Sequence, residues 1–281
     1  MDDFLKQLSD DDLIALLGGV PNSGVANTNG VGDLPEYGVP AVMTADGNAG
    51  IRIDEACPVP TTAWPCQTLL AATWDTDLLY EVGKAAAKEL KENNLQIWLA
   101  PGMNIHRCPI CGRNFEYYSE DPFLTGKMGA AQVRGVQSQG VAACVKHFAC
   151  NDKETNRKHS DSRVSLRALR EIHLRGFEIA VREAQPWTLM CGYNVINGQR
   201  CSESWDLLTG ILRKEWGYEG IVLSDWWDRS EHYKQILAGD DVKMPTGFPD
   251  RVKMAIELGA LNRSDLEKCA ARVLTLICRL D

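Results

Sequence analysis

Hydrophobic positions in this chain follow two kinds of pattern that alternate along its length. Short apolar runs bounded by glycine or polar residues are typical of buried strands, and they occur at 39–45, 64–72, 96–100, 141–145, 187–190, 220–223 and 241–244. Longer segments with hydrophobic residues at helical spacing lie at 77–93, 125–138, 165–184, 206–215 and 264–280. This alternation predicts strands that are covered by helices.

The N-terminal residues carry clear signals for the ends of a helix. Ser9 is followed by three aspartates, which place hydrogen-bond acceptors and negative charge at a helix start. Two glycines end this helix, which is predicted within 2–18. The stretch 21–35 is rich in Gly, Asn and Pro and is predicted to be an irregular loop, and a second long loop is predicted at 101–122.

Seven strand candidates separated by helices predict an α/β fold, namely one TIM-like (β/α)8 barrel over residues 1–281. The pattern offers no eighth strand, so the barrel is expected to be incomplete or distorted. An open doubly wound sheet is the alternative. No glycine-rich nucleotide fingerprint follows any predicted strand, which counts against a dinucleotide-binding fold.

Composition and charge narrow the classes of partner. The 281 residues are 44% hydrophobic and 24% charged, which suits one large α/β domain or two small ones. A net charge of -8 without a basic block argues against nucleic acids and membrane surfaces and favours an uncharged substrate. Because the sequence shows neither a signal-like start nor an apolar run of about 18 residues, we expect a soluble protein in a bacterial cytoplasm.

Ten cysteines are more than usual for a domain of this size. Several, such as Cys144 and Cys191, lie in apolar runs and are expected to be small buried hydrophobic residues. Cys108 and Cys111 form the one close pair, whereas a zinc site normally needs two such pairs or matching histidines. We therefore expect reduced thiols, as in a cytoplasm, and neither a metal nor another cofactor.

Polar side chains follow the ends of most predicted strands. In chain order they are Asp46, Arg113, Glu116, Lys146, His147, Tyr193, Asp225 and Trp226. Each alone has an ordinary explanation; Asp225, for example, can cap the helix that follows it. A barrel brings the carboxyl ends of its strands to one rim, so the coincidence predicts a shared site.

This mixture of groups suits a sugar pocket. Charged side chains bind vicinal hydroxyls through charge-assisted hydrogen bonds, and indole faces cover the apolar faces of a pyranose ring. A carboxylate below the anomeric carbon can form a covalent glycosyl-enzyme while a second carboxyl group acts as acid and then as base. Lys146 or Arg113 nearby would keep a nucleophilic Asp225 ionised near neutral pH.

Several longer motifs carry a resemblance to a known family. They are LAPGMNIHR at 99–107, GRNFEYYSEDP at 112–122, VKHF at 145–148, ETNR at 154–157, Tyr193-Asn194 with Asn197-Gly198, and SDW at 224–226. In these motifs and in their order over nearly the whole chain, the sequence resembles the barrel domain of glycoside hydrolase family 3, of the β-glucosidase type. The resemblance implies a retaining glycosidase that removes terminal non-reducing β-D-glucosyl residues from small oligosaccharides or aryl β-glycosides.

The resemblance also implies roles for single residues. Asp225 would be the nucleophile, Tyr193 would lie beside it, and Trp226 would form the wall near the leaving group. The hydroxyls of the non-reducing sugar would be held by Asp46, Arg113, Lys146 and His147. Arg52 and Arg157 match family positions that line the same pocket.

Two features depart from the family pattern. The family usually has Pro where Asn48 stands, a change in loop stiffness that the fold is expected to tolerate. More seriously, β-glucosidases of this family take their acid/base glutamate from a second, α/β sandwich domain, and this sequence starts and stops at the limits of the barrel. The acid is therefore expected from the rest of a longer protein or from a partner chain.

A substitute acid within the chain is a third explanation. One-domain β-N-acetylglucosaminidases of the family use a His-Asp pair on the loop after the Lys-His strand, and His159 and Asp161 fall in a comparable loop. The surrounding residues 148–154 follow the two-domain pattern instead, which counts against this substitute. The remaining functional alternatives are a β-xylosidase, a β-N-acetylhexosaminidase and a barrel that binds sugar without turnover.

Overall fold

The computed structural model describes residues 1–57 and 59–280, which adopt a TIM-barrel-like α/β fold. The strands are β1 (Gly30–Leu34), β2 (Val39–Ala45), β3 (Ile97–Trp98), β4 (Ala142–Phe148), β5 (Asp161–Ser162), β6 (Thr188–Cys191), β7 (Val195–Ile196), β8 (Gln199–Arg200) and β9 (Ile221–Leu223). The α-helices are α1 (Asp2–Leu5), α2 (Asp10–Leu16), α3 (Gln67–Ala71), α4 (Thr76–Glu92), α5 (Pro122–Gln137), α6 (Leu166–Ala168), α7 (Arg175–Ala184), α8 (His232–Ala238), α9 (Pro249–Glu257) and α10 (Arg263–Leu280). Single turns of 3-10 helix lie at Pro35–Tyr37, Asn114–Glu116 and Cys201–Glu203, and π-helical segments lie at Leu169–His173 and Asp206–Glu215.

The main sheet runs in the order β1-β2-β3-β4-β6-β9. Its neighbouring strands are parallel, except that β1 and β2 are antiparallel. Isolated backbone bridges continue from β9 to Val242, from Lys243 to Gly18, and from Val20 back to β1. The backbone pairing therefore returns to its first strand, although two of its segments contribute only single bridges. A small separate sheet of β5, β7 and β8 forms in the loops that follow β4 and β6.

Alternation along the strands separates two layers of buried hydrophobic side chains. In β4, Ala143 and Val145 pack in one cluster with residues of α4, α5 and α7, whereas Ala142 and Cys144 belong to the other cluster. This is the period of two that a strand imposes on its side chains. Ser9 and Asp12 form a reciprocal capping box at the start of α2, as the sequence predicted.

Most predicted elements are present, but two are wrong. The run predicted as a strand at 64–72 contains α3, because Gln67, Leu70 and Ala71 are buried at helical spacing and Leu and Ala favour helices. The predicted loop at 21–35 contains β1, whose glycines weaken the strand pattern. The helix predicted within 2–18 is interrupted between α1 and α2, and the strand predicted at 241–244 is reduced to the bridges described above.

Candidate active site

A cavity of about 680 Å³ lies where the carboxyl ends of β2, β4, β6 and β9 meet. The residues predicted for the site all contribute to its lining, namely Asp46, Arg52, Arg113, Lys146, His147, Arg157, Tyr193, Asp225 and Trp226. They come from separate segments of the chain and meet because parallel strands of a barrel share one rim. The structure therefore brings the whole predicted set together.

Asp225 follows β9 by two residues, and its carboxyl group is the most distinctive in the cavity. The side chain is 10% exposed, and Oδ1 accepts a hydrogen bond of 2.8 Å from the backbone N–H of Trp226. Oδ2 has no hydrogen-bond partner within the described part of the chain. Burial raises the pKa of Asp225 to about 6, against the opposing charge of Arg113. The group is therefore mainly ionised at neutral pH, with one oxygen uncommitted.

Lys146 and Asp46 form an ion pair across the cavity. Lys146 Nζ lies 2.7 Å from Asp46 Oδ1, and Arg52 Nη1 lies 3.6 Å from Asp46 Oδ2. Burial raises the pKa of Asp46, but the charge and hydrogen bond of Lys146 outweigh it and lower the pKa to about 2. Asp46 thus stays ionised over the working range of pH and can accept hydrogen bonds from hydroxyl groups.

Lys146 and His147 are consecutive in β4, yet both line the cavity. Regular alternation would place neighbouring side chains on opposite faces of the sheet. The pairing of β4 with β6 shifts register between Val145 and Phe148, and a local irregularity of this kind redirects a side chain. The sequence motif therefore depends on a backbone feature that its residue pattern does not reveal.

His147 is a neutral side chain that lies between Arg113 and Tyr117. Its Nε2 lies 2.8 Å from Arg113 Nη2, and because a guanidinium only donates, this nitrogen accepts. Nδ1 then carries the proton and faces the hydroxyl of Tyr117 at 3.1 Å. Burial, together with the positive charges of Arg113 and Lys146, holds the pKa of His147 well below its usual range. The 3.9 Å approach of His147 to Asp225 is therefore not an ion pair.

Tyr193, Arg157 and Trp226 form one side of the cavity. The Tyr193 hydroxyl donates a 2.6 Å hydrogen bond to the backbone carbonyl of Trp226, the residue that follows Asp225. The Arg157 guanidinium lies 4.7 Å from the centre of the Tyr193 ring, close enough for a cation–π interaction. The Trp226 indole N–H donates to Asn29 Oδ1 at 3.2 Å, which fixes the plane of the ring.

Glu116 and Asn48 belong to the site as well, although the sequence prediction did not give either a role. The buried Glu116 carboxylate accepts hydrogen bonds from Arg113 Nε and from Asn48 Nδ2. Its Oε2 also lies 4.0 Å from Lys146 Nζ. The sequence signals for Glu116 were its place among the polar residues that follow predicted strands and its position three residues after Arg113 in the same loop.

His159 and Asp161, the candidate substitute acid pair, do not contribute to the lining of this cavity. His159 is exposed. Asp161 lies in β5, where Oδ2 pairs with Arg163 Nε at 2.5 Å and Oδ1 accepts from the backbone of Gly198 at 3.1 Å. Both of its oxygens are therefore committed to structural contacts.

The described residues contain neither a candidate metal site nor a candidate membrane-spanning helix. Across residues 1–57 and 59–280, the structure places no three His, Cys, Asp or Glu side chains so that they could hold a metal ion. Cys108 is half-buried and Cys111 is buried, and both are free thiols. Over the same described residues, no helix combines the length and hydropathy that crossing a bilayer requires.

Comparison with known sequences gives two kinds of match. The profile described as Glycosyl hydrolase family 3 N terminal domain matches residues 32–276. Beta-glucosidase A of Butyrivibrio fibrisolvens is 59% identical over 268 residues, which cover 95% of this chain and 32% of that protein. Exo-alpha-(1->6)-L-arabinopyranosidase of Bifidobacterium longum is 40% identical over 252 residues, which cover 85% of this chain and 33% of that protein.

The fold also matches solved structures. Beta-glucosidase 3B from Thermotoga neapolitana in complex with glucose is similar with a TM-score of 0.95 and 44% identity, over 99% of this chain and 42% of that one. The chain thus spans about one third of the length of the curated relatives it matches.

Proposed function

This chain belongs to glycosyl hydrolase family 3, and on that premise we propose that residues 1–281 form the sugar-binding, nucleophile-bearing domain of a retaining β-glucosidase. One observation carries the proposal: a buried, mainly ionised Asp225, with one oxygen that has no hydrogen-bond partner among the described residues, lines a cavity together with charged groups that can bind hydroxyls. The names of the relatives, and the glucose complex of the similar Thermotoga neapolitana enzyme, support glucose as the sugar. The substrate would be a small oligosaccharide or an aryl β-glucoside.

In the proposed reaction, the sugar hydroxyls are held by Asp46, Lys146, Arg113 and the neutral His147. A carboxylate oxygen of Asp225 attacks the anomeric carbon, and the bond from that carbon to the leaving-group oxygen breaks as this oxygen takes up a proton from an acid. The product is a glycosyl ester of Asp225. Water then attacks the anomeric carbon, gives up a proton to the same acid/base group, and releases the sugar together with the free carboxylate.

The acid is proposed to come from a second domain or a partner chain. A general acid must hold a proton near neutral pH, whereas Asp46 has a lowered pKa and Glu116 accepts hydrogen bonds from two donors. In the neutral His147, Nε2 accepts from Arg113 and so has no proton to give, and Nδ1 faces the hydroxyl of Tyr117. None of these three groups in the cavity lining is therefore suited to donate the proton, which favours an acid from outside the chain.

Covalent trapping tests the nucleophile directly. Incubation of the chain with 2,4-dinitrophenyl 2-deoxy-2-fluoro-β-glucoside should add one fluoroglucosyl group, found by mass spectrometry on the peptide that contains Asp225. The activated leaving group needs no acid, so the isolated chain suffices. Asp225→Asn is the matched control and should stay unmodified. An unchanged mass of the wild-type chain would contradict the proposal and favour the alternative, a barrel that binds sugar without turnover.

Leaving-group dependence tests the source of the acid. General acid catalysis typically contributes about 10²–10⁴ in rate, so the chain alone should cleave cellobiose far more slowly than a dinitrophenyl glucoside. Similar efficiency on both substrates would require an acid within the chain.

A different sugar is the second candidate, because a relative of 40% identity is named as an arabinopyranosidase. Comparison of aryl β-D-glucoside, β-D-xyloside, N-acetyl-β-D-glucosaminide and α-L-arabinopyranoside separates these cases. We expect the glucoside to be hydrolysed fastest.

A further inference from the structure

Asn48 connects two loops of the cavity through a single buried hydrogen bond. It lies two residues after Asp46 on the loop that leaves β2, and its Nδ2 donates to Glu116 Oε2 on the loop that follows β3. Both side chains are buried, and both line the cavity. The two residues are 68 positions apart in the sequence, so the bond depends on the folded arrangement of both loops.

The oxygen that Asn48 binds is the one that faces Lys146. Glu116 Oε2 lies 4.0 Å from Lys146 Nζ, while Lys146 Nζ lies 2.7 Å from Asp46 Oδ1. Two carboxylates therefore compete for one buried ammonium group. The other Glu116 oxygen already accepts from Arg113 Nε. Without a donor at position 48, Oε2 would have Lys146 as its nearest cationic partner.

The loop around Asn48 is otherwise held through its backbone carbonyls, since the Trp98 indole N–H donates to the Gly47 carbonyl at 3.0 Å and the Trp64 backbone N–H donates to the Ala49 carbonyl at 3.0 Å. Gly47 and Gly50 have φ of +108° and +145°, a region that residues with a side chain rarely adopt. A Cβ atom at Gly47 would lie 1.9 Å from the carbonyl oxygen of Gly50, so neither the turn nor its glycines can be stiffened by larger residues. The Asn48 side chain provides the link between this turn and the facing loop.

From this geometry we infer that Asn48 is a positioning residue for the sugar site. By donating to Glu116 Oε2, it keeps the Lys146 ammonium on Asp46, where both groups can bind a sugar hydroxyl. The inference rests on the proposed function of the cavity as a sugar site.

The variants Asn48→Ala, Asn48→Asp and Glu116→Gln test this role. Asn48→Ala removes the donor and should raise the dissociation constant for glucose about tenfold, the usual order for a hydrogen bond to a charged group. Asn48→Asp keeps the shape and the freedom of the loop but sets an acceptor against Glu116, so it should weaken glucose binding more than alanine does. A role in loop stiffness alone would leave Asn48→Asp close to wild type.

A double-mutant comparison separates action through Glu116 from independent action. In the Glu116→Gln background, Asn48→Ala should add less than twofold to the dissociation constant. Glucose affinity is measured by calorimetry. The kinetics of trapping by the 2-fluoroglucoside are measured over a range of concentrations, which gives the half-saturating concentration and the limiting rate separately. Asn48→Ala should change the half-saturating concentration and leave the limiting rate within about threefold, since Asp225 and its neighbours are untouched.

Two results would overturn the inference: glucose affinity of Asn48→Asp equal to wild type, or full additivity of Asn48→Ala with Glu116→Gln. Thermal melting establishes that each variant is folded, and the alanine and glutamine variants suffice for the additivity test if the aspartate variant fails to fold. Failure of the proposed function would give a different result. A wild-type chain that binds glucose but is never labelled by the 2-fluoroglucoside would have a sugar site without a working nucleophile.

Discussion

Asp225 and Asp228 stand three residues apart on one turn, yet their surroundings are opposite. The Asp228 side chain is only 4% exposed, and its carboxylate accepts from Lys243 Nζ at 2.7 Å, from Ser202 Oγ at 2.6 Å and from Ser230 Oγ at 2.8 Å. Gln235 Nε2 adds a further contact at 3.1 Å. Asp225 is almost as buried, but no protein group within the described residues contacts its Oδ2 by a hydrogen bond.

The difference separates a structural carboxylate from a reactive one. A buried charge is tolerated when its hydrogen-bonding capacity is filled, and Asp228 meets this condition with an ion pair and three neutral donors. Asp225 lines a cavity, has one oxygen without a hydrogen-bond partner among the described residues, and has a pKa that burial raises to about 6. The same contrast holds for the lysines, because Lys243 is enclosed with Asp228 whereas Lys146 lines the cavity.

The largest expected effect is on turnover by Asp225→Asn. The amide cannot form the glycosyl ester, so hydrolysis of a dinitrophenyl glucoside should fall about 10⁴-fold or more. Steady-state kinetics on the purified variant measures this loss. Asp228→Asn, assayed at a temperature where it is folded, should retain activity within about tenfold. Equal losses of activity in the two variants would contradict the assignment of Asp225 as reactive and Asp228 as structural.

The second effect concerns stability and belongs to Asp228. Asp228→Asn leaves the buried Lys243 ammonium without its counter-charge, which typically costs about 3–5 kcal/mol of unfolding free energy. Urea unfolding measures it. The double variant Asp228→Asn, Lys243→Met removes both charges and should recover part of the loss. A single variant as stable as wild type would show that the pair is not structural.

The third effect is a stabilisation by Asp225→Asn at neutral pH. Folding raises the pKa of Asp225 from 3.8 to about 6, so ionisation of this group costs stability as the pH rises through that window. The variant removes this cost and should be more stable than wild type by up to about 3 kcal/mol above pH 6. Below about pH 4, where Asp225 is protonated in both the folded and unfolded states, the difference should vanish.

Labelling kinetics provide the control for this titration. The nucleophile must be ionised, so the rate of trapping by the 2-fluoroglucoside should fall about tenfold per pH unit below pH 6. A rate that is constant down to pH 4 would mean that burial does not raise the pKa of the Asp225 carboxylate.

The strands were predictable where no glycine interrupts the hydrophobic run. The runs at 39–45, 141–145 and 220–223 became β2, β4 and β9, and their following polar residues meet in the cavity. The run at 64–72 was wrongly predicted as a strand, because a short apolar segment fits a buried helix as well as a strand. β1 was not predicted as a strand, because two of its five residues are glycine.

The site was predictable in its membership but not in its connections. Strand ends and family motifs identified the residues that line the cavity, because topology alone brings them together. The bond from Asn48 to Glu116 and the register shift that turns both Lys146 and His147 inward depend on loop and strand geometry. No periodicity in the sequence records such geometry.

The smallest effect is expected from His159→Ala and Asp161→Ala, which separate the cavity from the nearby loop. Neither side chain lines the cavity, and both Asp161 oxygens are held by Arg163 and the Gly198 backbone. Each variant should therefore change the hydrolysis of a dinitrophenyl glucoside and of cellobiose by less than about twofold, since surface substitutions rarely exceed about 0.5 kcal/mol. A loss confined to cellobiose, which needs protonation of its leaving group, would instead identify this loop as the source of the acid. Asp161→Asn is the sharper form of the test, because it keeps an oxygen for the contact with Gly198 while it removes the carboxyl group.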